Sequence, residues 1–283
     1  MLKQRIITAI VLLAILLPAL FYPAPYPFVA IVLVLIAAGA WEWGRLNGCG
    51  QPASLSLAVA CLALCGLSWQ AGWLHQPLPL LWSVWGGVWV LGGAWLLHSG
   101  VAGWPGIPRA VRLAGGMLAL WLAWLAVGQA RVIGINFLLS VLLLVWMADI
   151  AAYFAGRTFG LKFTSKKLAP SISPGKSWEG VWGGMAGVMV LALAWVAADS
   201  HFHAGSASLY TRLAAAGWWL LPVAVVFLAA LSVVGDLVES LVKRSAGAKD
   251  SSGLLPGHGG VLDRVDALLP TLPLAMMLAS LAR

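Results

Sequence analysis

Residues 217–238, GWWLLPVAVVFLAALSVVGDLV, decide the fold class of this 283-residue chain. No charged side chain occurs from Gly217 to Gly235, and a run of about 20 apolar residues is what the hydrocarbon core of a bilayer requires. The run then meets an acid, Asp236, near its end. The sequence therefore predicts a transmembrane helix that carries a carboxylate close to the membrane surface.

The composition of the whole chain agrees with a membrane protein. The chain is 61% hydrophobic, only 9% of its residues are charged, and long uncharged runs recur along it, which excludes an ordinary soluble domain. We predict an all-α, polytopic integral membrane protein with about nine transmembrane helices. The predicted helices cover residues 7–22, 28–46, 53–69, 78–97, 113–130, 135–156, 180–198, 217–238 and 266–281.

The basic residues predict the orientation of the chain. They outnumber the acids by 17 to 9 but stand at the ends of apolar runs, so we expect anionic lipid headgroups, and no nucleic acid, as their partners. Most fall on the side of the N-terminus, and only Arg131, Arg212 and Arg283 fall on the other side. Because Lys and Arg are in excess in cytoplasmic segments, we predict a cytoplasmic N-terminus and two cytoplasmic loops, at 157–179 and 239–265.

The acidic residues are concentrated in the C-terminal region. We separate this region, residues 136–283, which contains both long loops, from the N-terminal transmembrane helices, residues 1–135. Of the nine acids in the chain, five fall in one short stretch: Asp236, Glu239, Asp250, Asp263 and Asp266. On a helix that continues past residue 238, a single face carries Asp236, Glu239, Ser240 and Lys243.

Acidic side chains near membrane depth need a compensating partner. Burying a carboxylate there costs several kcal/mol unless a basic side chain or a cation offsets the charge. Mg²⁺ typically takes one or two carboxylates together with substrate phosphates. Acids from two helix ends among basic residues therefore suit a metal–polyphosphate site; the basic residues are Lys243, Arg244, Lys249 and Arg264. The alternative is an ordinary juxtamembrane loop, in which the charged side chains extend to the membrane surface and bind no ligand.

The segment PGHGG, residues 256–260, suits the same interpretation. Gly257, Gly259 and Gly260 can adopt positive φ, which lets backbone N–H groups approach a phosphate closely. His258 stands at the centre of this turn and is a candidate donor to a phosphate or a base.

A second polar stretch, residues 149–180, leaves the sixth predicted helix. One face of that helix carries Asp149, Tyr153, Gly156 and Arg157. An aspartate within a membrane segment is a candidate functional residue, and an Asp149–Arg157 ion pair is the structural alternative. The stretch also supplies candidate phosphate contacts, namely Lys166, Lys167 and Lys176.

Two further groups of polar residues are interpreted as structural. Glu42 and Arg45 stand three residues apart at the inner end of the second predicted helix and are interpreted as an interfacial pair. Cys61 and Cys65 share a helix face and are interpreted as buried apolar residues. The sequence has no GxSxG, HExxH or CxxC motif, which argues against a serine hydrolase, a zinc protease and a redox site.

Residues 240–266 closely resemble the pattern of the phosphatidate cytidylyltransferase family. That pattern is S-x-x-K-R, four residues, K-D, and then P-x-H-G-G-x-x-D-R-x-D. Every fixed position is present, at Ser240, Lys243, Arg244, Lys249, Asp250, Pro256, His258, Gly259, Gly260, Asp263, Arg264 and Asp266. Residues 149–157 and 173–180 are also similar to that family, so the motifs cover roughly the C-terminal half.

The resemblance implies transfer of a cytidylyl group from CTP to phosphatidic acid, with CDP-diacylglycerol and pyrophosphate as products. By this resemblance and by geometry, Asp236 and Asp263 are expected to bind Mg²⁺, with Glu239 and Ser240 adjacent. The triphosphate and the leaving pyrophosphate are expected to be held by Lys243, Arg244, Lys249 and Arg264, with contributions from Lys176, Arg157, Gly259 and Gly260.

Finer expectations follow from the same resemblance. Asp266 is expected to orient Arg264 or to support a second cation, and His258 to contact phosphate or cytosine. The expected location is the inner membrane of a bacterium with the active site on the cytoplasmic side, and a homodimer is left open. Two other functions are also left open: CTP-dependent transfer to another lipid phosphate, and transport of a cation or phosphate.

Overall fold

A computed structural model describes residues 2–282 of the chain, and they form helices with no β-strand. The helices are α1 (Leu2–Phe21), α2 (Tyr26–Leu46), α3 (Gln51–Gln70), α4 (Pro79–Gly103), α5 (Arg109–Ile133), α6 (Ile135–Phe159), α7 (Trp178–Phe202), α8 (Leu209–Ala216), α9 (Leu220–Ser245), α10 (Leu262–Val265) and α11 (Leu268–Leu281), with a 3₁₀ turn at Trp104–Gly106.

Within residues 2–282, nine helical segments are long and apolar enough to cross a bilayer. This confirms the predicted all-α membrane fold, and every predicted helix overlaps one of the nine segments. The helices are mostly longer than predicted, so the two polar loops are shorter, at 160–177 and 246–261. The ninth segment is also broken into α10 and α11.

The short helix α8 was not predicted. It contains only eight residues and lies between the seventh and eighth membrane segments. The side chain of Ser208 accepts a hydrogen bond from the N–H of Thr211 at its first turn, which satisfies one of the donors that a helix start leaves free.

Small residues bring α6 and α7 close together. A Cβ atom at Gly187 would lie 2.5 Å from Cβ of Ala151, and one at Gly184 would lie 2.9 Å from the carbonyl oxygen of Ala148. Helices can approach this closely only where side chains are missing. The α6–α7 pair therefore forms a closely packed unit on which the candidate site is built.

The N-terminal helices pack directly on the C-terminal ones. Gly93 of α4 lies against Val234 of α9, where an added Cβ would be 2.7 Å from the valine side chain. At the other end of α4, Trp82 donates its indole N–H to Gln129 of α5 at 3.1 Å. Cys61 and Cys65 are fully buried, as expected of apolar filling residues.

Hydrogen bonds between loops and helix ends identify the two ends of the bundle. At one end, Thr8 donates to the carbonyl of Pro256 and Arg109 donates to that of Gly48. At the other end, Arg131 donates to the carbonyl of Leu20 at 3.0 Å. This arrangement places the N-terminal end of α1 beside the 246–261 loop. The cytoplasmic orientation stays a prediction, and Arg283 lies outside the described residues.

Candidate active site

A cleft between α6, α7 and α9 opens beside the 160–177 loop and encloses about 370 Å³, a volume typical of ligand sites. We call it the α6–α7 cleft. The predicted face of α6 is confirmed, because the cleft is lined by Asp149, Tyr153, Gly156 and Arg157, and facing them by Gly175, Lys176 and Ser177. Arg157 donates to the Tyr153 hydroxyl at 3.0 Å. The alternative interpretation was an ion pair between Asp149 and Arg157. The ion pairs of residues 2–282 do not include it.

Lys176 connects the cleft to the acids of α9. Its ammonium lies 2.5 Å from Oδ2 of Asp236, and each of these side chains is about a quarter exposed. Ser240 lies one turn further along α9 and donates to Oδ1 of Asp236 at 3.4 Å. The structure therefore brings together Lys176, Asp236 and Ser240, three residues that the sequence predicted from separate motifs.

Three aspartates, one of which belongs to this ion pair, lie within electrostatic range of one another. Asp149 of α6 is close enough to Asp236 for their charges to repel, and Asp266 is close enough to repel both. Lys176 and Arg264 offset part of this charge at Asp149. Like charges held close together are typical of functional sites, because their proximity does not stabilise the fold.

The loop that carries Lys176 is fastened to α7 by a buried glutamate. Oε1 of Glu179 accepts hydrogen bonds from the N–H groups of Phe163 and Thr164, at 3.1 and 2.8 Å, and from the Thr164 hydroxyl at 2.8 Å. Ser177 caps the start of α7 by accepting from the N–H of Gly180. The position of Lys176 at the mouth of the cleft therefore follows from loop geometry as well as from its ion pair.

A second set of charges lies around Lys243, two turns beyond Asp236 on α9. The Lys243 ammonium is 2.6 Å from Oε2 of Glu239 and 2.5 Å from Oδ1 of Asp263. All three side chains are nearly buried, with exposures of 12%, 4% and 6%. The predicted continuation of α9 through these residues is confirmed, and Lys243 lies within ion-pair distance of both acids.

The second oxygen of Asp263 is occupied by protein donors. Oδ2 accepts from the N–H of Ser251 at 2.9 Å, from its hydroxyl at 2.9 Å and from the N–H of Gly260 at 2.7 Å. Asp263 thus ties Ser251, within the 246–261 loop, and Gly260, near its end, to the start of α10. The prediction that Asp263 binds a metal stays a prediction, since a metal would compete with Lys243 and these donors.

Glu42 on α2 was interpreted wrongly from the sequence. It is not an interfacial partner of Arg45; its side chain is fully buried, and Arg45 lies over the ring of Trp41 instead. The Glu42 carboxylate accepts from the hydroxyls of Ser251 and Ser252, at 3.0 and 2.5 Å. It also accepts from the N–H groups of Val261 and Leu262, at 2.9 and 2.8 Å. We call Glu42, Ser251, Ser252 and Asp263 the loop anchor.

The glycines of PGHGG serve close packing as well as turning. Gly257 and Gly259 have φ of +76° and +82°, as predicted. Gly260 does not; a Cβ there would collide with the Ser251 hydroxyl and the Glu42 carboxylate. Its N–H donates to Asp263, so in this structure it does not face outward toward a phosphate.

The remaining predicted residues lie on or near the two loops. Arg264 donates to the carbonyl of His258 at 3.0 Å, and Oδ1 of Asp266 accepts from the N–H of Ala267 at 2.8 Å. Arg244 donates to the carbonyls of Ile172 and Ala248, at 3.4 and 3.2 Å, and so bridges the two loops. Lys249 is exposed, and its role stays a prediction.

The residues present fit a Mg²⁺ ion that is bound together with phosphates. Among residues 2–282, no three His, Cys, Asp or Glu side chains gather closely enough to hold a metal by themselves. Mg²⁺ ordinarily uses only one or two carboxylates and completes its shell with water and phosphate oxygens. The mutual repulsion of Asp149, Asp236 and Asp266 is also of the kind that a cation relieves.

Comparison with known proteins identifies similar sequences over nearly the whole chain. Residues 3–282 match the model described as the cytidylyltransferase family. A phosphatidate cytidylyltransferase of Pseudomonas aeruginosa is 41% identical over 282 residues, covering 96% of this chain and 95% of the relative. That of Haemophilus influenzae is 36% identical over 293 residues, covering 96% of each chain. That of Brucella suis is 37% identical over 269 residues, covering 95% of this chain and 89% of the relative.

Proposed function

Because this chain belongs to the cytidylyltransferase family, we propose that it transfers the cytidylyl group of CTP to phosphatidic acid, giving CDP-diacylglycerol and pyrophosphate. The observation that carries the proposal is the match over almost the full length to relatives with that name. The α6–α7 cleft supports it, because Asp149 and Lys176 line it next to membrane-spanning helices, and Lys176 pairs with Asp236 of α9. Such a site suits a soluble triphosphate and a lipid headgroup together.

In the proposed reaction, a phosphate oxygen of phosphatidic acid attacks the α-phosphorus of CTP. A new phosphorus–oxygen bond forms, the bond between the α-phosphate and the β-phosphate breaks, and pyrophosphate leaves with its electron pair. The attacking phosphate is already anionic at neutral pH, so no strong general base is needed. Positioning and charge neutralisation then supply most of the catalysis.

Basic residues of the cleft are proposed to hold the triphosphate. Lys176 and Arg157 line the cleft from two different elements, and their cationic groups can neutralise charge on the β- and γ-phosphates. Arg244, Lys249 and Arg264 lie on or beside the second loop and are proposed to contact the leaving pyrophosphate. Lys243 is nearly buried between two acids. We therefore propose that it stabilises the edge of the site.

Asp236 is the first candidate ligand for Mg²⁺, with Asp149 and Asp266 as its neighbours. Its carboxylate is partly exposed and held by one lysine, whereas Asp263 is enclosed by protein donors. When bound, Mg²⁺ would supply positive charge that offsets the charge developing on the phosphates. Lys176, which pairs with Asp236, is proposed to contribute its positive charge to the triphosphate as well.

The proposed location is the inner membrane of a bacterium, with the cleft facing the cytoplasm. The relatives are bacterial proteins. The excess of Lys and Arg on the side of the two long loops supports the cytoplasmic assignment, which is also the side on which CTP is available.

The test uses purified protein in detergent–lipid micelles with phosphatidic acid, Mg²⁺ and each of the four ribonucleoside triphosphates. We expect pyrophosphate release and a CDP-lipid product with CTP and neither with the other three. No release with CTP would defeat the proposal. In a parallel arm an ether-linked lipid phosphate replaces phosphatidic acid, and activity confined to that arm would assign the protein a different lipid. Flux into proteoliposomes without CTP would support a transporter instead.

A further inference from the structure

Glu42 is a fully buried side chain through which the N-terminal half contacts the 246–261 loop. It lies on α2, which is separated by more than 200 residues from the loop it binds. Four donors surround it: two hydroxyls and two backbone N–H groups. A fully buried carboxylate is tolerated only when such donors replace its hydration.

The donors are divided evenly between the two carboxylate oxygens. Oε1 accepts from the Ser252 hydroxyl and the N–H of Val261, and Oε2 accepts from the Ser251 hydroxyl and the N–H of Leu262. The two N–H groups stand at the start of α10, where a helix has no internal acceptors for them. Only a carboxylate offers acceptors to all four donors, because an amide would present an NH₂ group to two of them.

The contact continues from Glu42 toward the acids of α9. The Ser251 hydroxyl lies 3.0 Å from Glu42 and 2.9 Å from Asp263, and Asp263 in turn pairs with Lys243. Glu42 itself is not among the residues that line the α6–α7 cleft. It therefore acts on the loop, through Ser251 and the start of α10.

We infer that Glu42 is a positioning residue for the proposed transferase: it fixes the 246–261 loop and the start of α10, so that Arg264 and Asp266 are presented to the triphosphate and Mg²⁺. The kinetic part of this inference rests on the proposed function. Its structural part, the anchoring of the loop, does not. Misplacing groups at a reacting centre by about 1 Å can cost 100-fold in rate, so the effect is measurable.

The variants are Glu42→Gln and Ser252→Ala, with Gln129→Leu as the matched control. Ser252→Ala removes one of the four donors to Glu42 and is the milder change. Gln129 is also a buried polar residue that joins helices, since it binds Trp82 and the carbonyl of Trp73. Gln129 takes no part in the proposed site.

Two readouts separate positioning from general destabilisation. The first is the concentration of CTP and of Mg²⁺ at half-maximal rate, together with kcat. The second, which needs no substrate, is hydrogen–deuterium exchange of peptides covering residues 251–262. A purely structural defect lowers the amount of folded enzyme and leaves the half-saturation concentrations unchanged.

We expect Glu42→Gln to lower kcat/KM for CTP by about 30-fold or more, and Ser252→Ala by about 3-fold to 10-fold, with raised half-saturation for Mg²⁺. Exchange at 251–262 should accelerate in both variants. The control should lose thermal stability while its half-saturation concentrations stay within about 2-fold of the wild type.

The inference is overturned if Ser252→Ala and Glu42→Gln change neither the half-saturation concentrations nor the hydrogen–deuterium exchange of residues 251–262. It is also overturned if the control Gln129→Leu changes these quantities equally. If Glu42→Gln does not fold, Ser252→Ala decides alone. If the wild-type protein has no CTP activity, the proposed function fails, and the exchange experiment still decides whether Glu42 anchors the loop.

Discussion

The α6–α7 cleft and the loop anchor use the same residue type in opposite ways. In the cleft, Asp236 is 27% exposed and has one lysine and one distant hydroxyl as partners. In the anchor, Asp263 is 6% exposed and has a lysine and three further donors. An aspartate with unused acceptor capacity is available to a ligand, whereas one with filled capacity holds the protein together.

The comparison suggests that substitutions in the two regions have different consequences. Changes in the cleft should affect ligand binding and rate with little loss of stability, because ion pairs that remain accessible to solvent contribute only about 0–1 kcal/mol. Changes around the anchor should cost stability as well, because they leave buried charges or donors without partners. Each prediction below tests one side of this contrast.

The largest loss of stability is expected from Lys243→Met. It leaves Glu239 and Asp263 buried without their common cation, and breaking a buried pair in this way costs about 3–5 kcal/mol. Unfolding in detergent, followed by thermal or denaturant titration, measures the loss. Lys176→Met in the cleft is the matched variant and should cost less than about 1 kcal/mol. If Lys243→Met and Lys176→Met lower the free energy of unfolding equally, the loop anchor and the cleft do not differ in their contribution to stability.

A smaller loss is expected from Gly260→Ala, where the new methyl group meets both Ser251 and Glu42. Forcing an atom into a packed site typically costs about 1–3 kcal/mol, and displacement of the loop should lower the rate by about 10-fold. Gly253→Ala is the control in the same loop, since nothing lies within 4 Å of an added Cβ there. If Gly260→Ala and Gly253→Ala have the same free energy of unfolding and the same reaction rate, the loop anchor tolerates displacement.

The smallest effect is expected from Lys176→Ala, and it should appear in substrate binding. Loss of one lysine that contacts phosphate should raise the KM for CTP by about 10-fold. At higher salt concentration, the KM values of the variant and the wild type should differ less, because salt screens the interaction between charges. Lys162→Ala is the control, because Lys162 lies on the same loop and its ammonium is over the ring of Phe159. Steady-state rates at several CTP concentrations measure both variants. Equal KM values for the two variants would mean that general loop charge, and not Lys176, binds the nucleotide.

Sequence patterns predicted the parts of this molecule that depend on local spacing. Helical periodicity placed Asp149, Tyr153, Gly156 and Arg157 on one face, and the structure confirms that they line one cleft. Apolar runs predicted the nine spans that residues 2–282 contain. Both succeed because a membrane helix must satisfy its backbone internally, so that length and hydropathy nearly determine it.

Contacts between distant segments could not be predicted in this way. Glu42 has Arg45 one turn away, and nothing nearby in the sequence indicates that its donors lie on a loop more than 200 residues later. The pairing of Lys176 with Asp236 has the same character. Helix α8 is different, because the capping residue Ser208 followed by Leu209 and Tyr210 was a usable local signal.

The most direct test of the account is the formation of CDP-diacylglycerol from CTP and phosphatidic acid by the wild-type protein, Asp236→Asn and Asp199→Asn, at saturating Mg²⁺. Asp199 is another partly exposed aspartate, at the far end of α7, and its carboxylate accepts hydrogen bonds from Asn136 and Thr211. We predict that Asp236→Asn keeps the thermal stability of the wild type and loses about 100-fold or more in rate. Asp199→Asn should keep its rate per folded molecule. An Asp236→Asn enzyme as active as the wild type would contradict the assignment of the reaction to this cleft.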